Sequence, residues 1–164
     1  MFWYALYTRP RFEKKVRDAL SKNGFEVWLP LRKELRQWSD RKKWVEEPLF
    51  RSYVFVKTDY AGLPSVSRTN GVVAPVTFNG KPSIIRDYEI KAINLVLSGP
   101  NGFDVDDIHF TKDEEVHITH GPLKGFTGNW ISWKGTKRVS IEIQQLQKCL
   151  IVEVPAAYIE KAKD

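Results

Sequence analysis

No helix or strand can run through Ser98-Gly99-Pro100-Asn101-Gly102, where glycines release the backbone and proline lacks an amide donor. The break is followed by the polar run Asp104-Val105-Asp106-Asp107, so residues 99–111 are expected to be a linker. It would join an N-terminal domain over 1–98 to a C-terminal domain over 112–164. The two parts differ in charge. Residues 1–60 hold 14 Lys/Arg against 8 Asp/Glu, a net +6, whereas residues 61–164 hold 12 of each. A basic module tied to a neutral one suggests that the first meets a polyanion and the second meets something else.

Trp3 to Tyr7 reads as a strand, and Pro10 suits the opening of a helix running to about Lys22. Phe12, Val16, Ala19 and Leu20 make its buried stripe, and Asn23-Gly24 its stop. On a helical wheel Arg11, Lys15 and Lys22 would fall within an arc of about 40°, a basic ridge. Phe25 to Leu31 is a second strand. Residues 32–44 carry six basic and two acidic residues and read as a hairpin with a basic tip. There Trp38 and Trp44 interleave with Arg36, Arg41, Lys42 and Lys43, offering cations for phosphates and flat faces for bases. A solvated hairpin braced by two tryptophans has the same pattern.

Pro48 and Arg51-Ser52 interrupt the chain just before Tyr53-Val54-Phe55-Val56, a run with strand composition. Phe50 therefore sits in a loop with no evident core to serve. It is either an anchor for a partner, whose removal leaves the fold intact, or a residue tucked under its own domain edge. Residues 59–75 read as loop, 76–85 as a hairpin on Asn79-Gly80, and Asp87 to about Leu97 as a helix with Ile90, Ile93 and Leu97 inward. The fold class is α+β: an antiparallel sheet flanked by helices, a linker, and a C-terminal run of short alternating strands expected to close as a small β-barrel.

Catalysis finds little support in this pattern. His117 and His120 lie three apart with no third ligand of the usual kind, so no metal is expected, nor any other cofactor. Gly121 to Gly128 lacks the Gly-Lys-Ser/Thr ending of a phosphate loop, and Cys149, the only cysteine, has no histidine near it in sequence. Asp104, Asp106 and Asp107 suit a solvated linker better than a cation site. With no long apolar run and no leader-like N-terminus, a cytosolic protein is expected.

Two separated motifs carry a resemblance. Trp3-Tyr4-Ala5-Leu6-Tyr7 with its helix, joined to Glu47-Pro48-Leu49-Phe50-Arg51-Ser52-Tyr53-Val54-Phe55-Val56, resembles the N-terminal (NGN) domain of the NusG transcription factors, most of all their specialised RfaH-like and UpxY-like paralogues. Glu114 to Gly128 resembles a KOW motif. The resemblance implies an elongation and antitermination factor that sits on the RNA polymerase clamp and suppresses pausing and termination. It also implies a KOW domain that meets a ribosomal protein or Rho, and that in RfaH can refold as helices. Tyr7 and Phe50 match the family's clamp-binding aromatics, with Trp3, Leu49 and Tyr53 beside them. Arg9, Arg11 and the Arg41-Lys42-Lys43 tip match basic positions near the non-template DNA strand, to which Lys15, Arg36 and Trp38 are added. In the KOW loop, Gly121 and Gly128 serve backbone geometry, Lys124 is a contact, and Phe126 is either a contact or a core residue. Where the family has Pro-Gly before the tyrosine, this chain has Arg51-Ser52, which favours a specialised paralogue. A ribosome-associated or RNA-binding KOW protein is the alternative.

Overall fold

The computed structural model describes residues 1–99, 102–108 and 114–162, so parts of the expected linker and the first two residues of the expected C-terminal domain lie outside the described residues. The chain divides into two compact units, Met1–Arg86 and Asp87–Asp164. The division falls ahead of the helix that begins at Asp87.

In the N-terminal unit, strand β1 (Phe2–Thr8) leads through a turn into helix α1 (Glu13–Lys22), followed by β2 (Glu26–Trp28), β3 (Leu31–Gln37), β4 (Lys42–Pro48) and β5 (Tyr53–Thr58). The helix starts three residues later than Pro10, and Arg11 is left-handed at φ 67°. Arg11 therefore lies off the helical wheel, and the ridge expected with Lys15 and Lys22 does not form. A 3-10 turn, the short helix α2 (Leu63–Ser67) and strand β6 (Val72–Pro75) occupy residues expected to be loop. Pro64 there opens a helix instead of breaking one, since the first helical turn needs no amide donor. Next come β7 (Thr77–Phe78), β8 (Lys81–Pro82) and β9 (Ile84–Ile85). Asn79 and Gly80, at φ 53° and 76°, form the tight turn between β7 and β8 that Asn-Gly signals.

The main sheet has the order β2-β5-β1-β6, with β9 also pairing β1. One face carries the helix-backed core, where Tyr4, Leu6, Val54 and Val56 pack with Val16 and Leu20 of α1 and Leu63 and Val66 of α2. Each fully buried side chain of this kind contributes about 1.5–3 kcal/mol. Among the described residues, strands β3 and β4 pair only with each other, forming a separate two-stranded arm.

The C-terminal unit holds α3 (Asp87–Ser98), β10 (Phe103–Asp107), β11 (Glu114–Ile118), β12 (Thr127–Trp133), β13 (Thr136–Ile143), β14 (Lys148–Val152) and β15 (Ile159–Lys161). These strands form one antiparallel sheet ordered β10-β14-β13-β12-β11-β15. Val139, Ile141, Ile143, Leu150 and Val152 fill its core. The Asp104–Asp107 run, expected in a linker, is instead an outer strand paired to β14 from Phe103↔Val152 to Asp107↔Lys148. On α3 the buried face is Glu89, Ala92, Ile93 and Val96, rotated from the expected stripe and including a glutamate.

Candidate functional site

The second face of the N-terminal sheet is aromatic. Tyr7 stands opposite Tyr53, Ala5 opposite Phe55 and Trp3 opposite Lys57, while Trp28 stands opposite Phe55 from the other side. Because side chains alternate across a strand, these residues share the face turned away from Tyr4, Leu6, Val54 and Val56. Their rings form a connected layer. Trp3 meets Trp28 at 6.3 Å between centroids, Trp28 meets Phe55 at 5.1 Å, and Phe55 meets Phe50 edge-on at 6.3 Å. Tyr7 tilts onto Tyr53 at 5.0 Å.

Exposure separates these residues into two groups. Tyr7 is 39% exposed, and Trp3 and Trp28 are half-buried, but Phe50 is only 2% exposed and Leu49 and Tyr53 are buried. Phe50 thus has a core to serve. Its ring closes the layer over Phe55 rather than standing out as an anchor. Trp28 and Phe55 belong to the layer and were missed. The unbroken apolar run from Tyr53 to Val56 carries the signal for Phe55, since a strand buried on both faces shows no alternation.

The turn that seats Phe50 runs from Phe50 to Tyr53, whose amide donates to the Phe50 carbonyl at 3.3 Å. Of its two central residues only Ser52 is left-handed, at φ 66°. That is the type II arrangement that Pro-Gly would satisfy without strain. Arg51-Ser52 keeps the same path because other groups hold it. The Ser52 amide donates to the buried Glu13 carboxylate at 3.0 Å, and the Ser52 carbonyl accepts from the Thr8 amide at 2.9 Å.

The β3–β4 arm pairs from Leu31↔Pro48 out to Gln37↔Lys42. Its base is fixed by the Leu49 amide on the Pro30 carbonyl (2.9 Å) and by Lys14 Nζ on the Glu46 carbonyl (2.8 Å). Arg36 is neutralised by Glu47 at 3.1 Å, whereas Arg41, Lys42 and Lys43 form no ion pair among the described residues. The Arg41 guanidinium lies 5.6 Å from the centre of the Trp38 ring. Arg11 and Arg36 come together with Lys14 and Arg51 around a basin of about 740 Å³. Arg9 and Lys15 instead flank one ring, that of Phe12, at 5.9 and 4.9 Å. Lys14 and Arg51 are the cations that sequence reasoning passed over; only their place beside Glu13 and Ser52 reveals them.

In the C-terminal unit the glycine loop joins β11 to β12. Gly121 is left-handed at φ 88°, and Gly128 is required by a close approach: a Cβ there would lie 2.5 Å from the Ser140 carbonyl oxygen. Lys124 is exposed and Phe126 half-buried, and both line a basin of about 680 Å³ with Glu115, Glu142 and Gln144. His120 is bound to Thr119 Oγ1 at 2.9 Å and lies against Tyr158, and His117 is exposed on β11. Among the described residues no group of three His, Cys, Asp or Glu could hold a metal ion, and no helix is long and apolar enough to cross a membrane. Cys149 is buried in β14, and burial raises its thiol pKa.

Comparison with known proteins agrees with this architecture. The family model described as "Transcription termination factor nusG" matches residues 1–94. A solved structure described as domain interaction in Thermotoga maritima NusG aligns over 99% of this chain and 97% of its own, at 22% identity and a TM-score of 0.58. Conformations A and B of the MjSpt4:Spt5 complex align at 15% and 16% identity over 98% and 99% of this chain and 97% of theirs. Their TM-scores of 0.33 and 0.34 are too low to bear on the fold. With more than half of its length matched by the family model and its sheet, helices and C-terminal strands arranged as described, the chain belongs to the NusG family of transcription factors.

Proposed function

We propose that this chain docks on the clamp of RNA polymerase through the aromatic face of its N-terminal sheet and keeps the elongating enzyme from pausing and terminating. The observation that carries the reading is Tyr7, which stacks on Tyr53 at 5.0 Å yet stays 39% exposed. A rigid, half-covered ring of this kind contributes apolar area at small entropic cost and holds a hydroxyl ready for a partner. Trp3 extends the surface. Leu49, Phe50 and Tyr53 are buried, so their part in binding is indirect.

In the same reading the basic arm meets the non-template DNA strand. Arg41, Lys42 and Lys43 are free to neutralise phosphates, and Arg9, Arg11 and Lys15 add charge near the base of α1. The C-terminal sheet acts as a KOW domain that contacts a ribosomal protein or Rho through Lys124 and Phe126. Arg51-Ser52 in place of Pro-Gly supports a specialised, operon-specific regulator over a general factor. The test is an in vitro transcription assay with purified polymerase on templates with and without the upstream operon leader. Shorter pauses on the leader template alone are expected; pausing unchanged on both templates would overturn the reading.

A further inference from the structure

The arm carries an exposed apolar shelf that the fold does not use. Leu35 and Trp44 face one another directly across β3 and β4, and they are 51% and 65% exposed. A cross-strand pair this open places an indole and an isobutyl group in water, which soluble proteins tend to avoid unless a partner covers them. On the same face, two residues along each strand, stand Lys33, Gln37, Lys42 and Glu46. Trp38 is differently placed. It lies at the tip, less exposed at 43%, with the Arg41 guanidinium already beside its ring.

Resting on the reading that the arm meets nucleic acid, we propose that the Leu35–Trp44 shelf takes an unstacked base of a single strand. Trp44 is then the stacking residue, and Lys42 and Lys33 sit on neighbouring phosphates. Charge chooses the occupant. Lys42, on the same face as Trp44, has no acidic partner among the described residues, nor have Arg41 and Lys43 on either side of it along the chain, so the outer arm offers free cations near a flat aromatic face. That combination binds strands whose bases are free to leave their neighbours, and it is sequence-tolerant because every base presents a π-face. A duplex keeps those faces stacked inside and would engage only the cations.

The test is fluorescence anisotropy of the full chain with labelled oligothymidylate and with a duplex of the same length. Trp44→Ala is expected to weaken strand binding by about 5- to 150-fold, the range for loss of one stacked base, and to leave duplex binding unchanged. Trp38→Ala is expected to cost less, Trp44→Phe to recover part of the loss, and Lys42→Ala to lower the salt slope by about 0.7. Since Trp44 lies outside the core, the circular-dichroism spectrum of the variant should match wild type. Strand binding by Trp44→Ala equal to wild type overturns the inference while leaving the arm's contact with nucleic acid standing. Strand binding kept but polymerase co-purification lost assigns the shelf to a protein partner and also overturns it. Wild-type protein that binds neither nucleic acid overturns both.

Discussion

Replacing Phe50 by alanine should damage the fold before it damages any interface. The side chain is 2% exposed and lies edge-on to Phe55, itself fully buried, with Leu49 buried next to it. Truncating a buried phenylalanine costs about 3–5 kcal/mol, which combines lost transfer free energy with the cavity left behind. The N-terminal unit spans Met1–Arg86, and a domain of that size shifts its melting temperature by about 4–8 °C per kcal/mol. The melting transition of the N-terminal unit should therefore fall by at least about 12 °C. Thermal unfolding followed by tryptophan fluorescence measures this directly, because Trp28 packs on Phe55 at 5.1 Å and should report loss of the layer. A melting point within about 3 °C of wild type, which corresponds to less than about 1 kcal/mol, would refute the core assignment and return Phe50 to the role of an exposed anchor.

Ser52→Gly should stabilise the N-terminal unit by about 0.5–1 kcal/mol, measured by urea denaturation, because it relieves a left-handed residue at φ 66° without touching the Glu13 bond to the amide. Gly128→Ala should lower C-terminal stability by more than about 2 kcal/mol, since its Cβ would meet the Ser140 carbonyl oxygen at 2.5 Å and force β12 and β13 apart; the same melts check it. Cys149 should react slowly with iodoacetamide at pH 8 in the folded protein and quickly in denaturant, because burial both shields the thiol and raises its pKa. By the same shift the folded state holds the thiol proton more tightly, so this contribution to stability is complete below the unfolded thiol's pKa and is lost as pH rises through the folded one.

Much of the architecture was legible where local signals stood alone. The period of Val16 and Leu20, the Asn79-Gly80 turn and the alternation of Val139, Ile141 and Ile143 each lead to the element observed. Signals that depend on a partner strand were lost. Asp104 to Asp107 looks like a linker by composition, yet Phe103 and Val105 face Val152 and Leu150 and hold it in the sheet. Glu89 is buried on α3, where an amphipathic reading puts charge outward. The candidate site suffered in the same way. Nothing in the sequence tells the exposure of Tyr7, and Phe50 is judged by its neighbours in the sequence, Pro48 and Arg51, when what decides its burial is Phe55 across the turn.

The central claim is that one face of the N-terminal sheet docks on polymerase, and Tyr7 and Phe2 test it side by side. Both are exposed, at 39% and 55%, and by strand alternation they lie on opposite faces of β1. The measurement is the dissociation constant for core RNA polymerase of wild type, Tyr7→Ala and Phe2→Ala, all verified as folded. Loss of a buried aromatic contact worth about 1.5–3 kcal/mol should weaken Tyr7→Ala by about 10- to 150-fold and leave Phe2→Ala unchanged. Equal binding by wild type and Tyr7→Ala, or a larger loss in Phe2→Ala, would contradict the account.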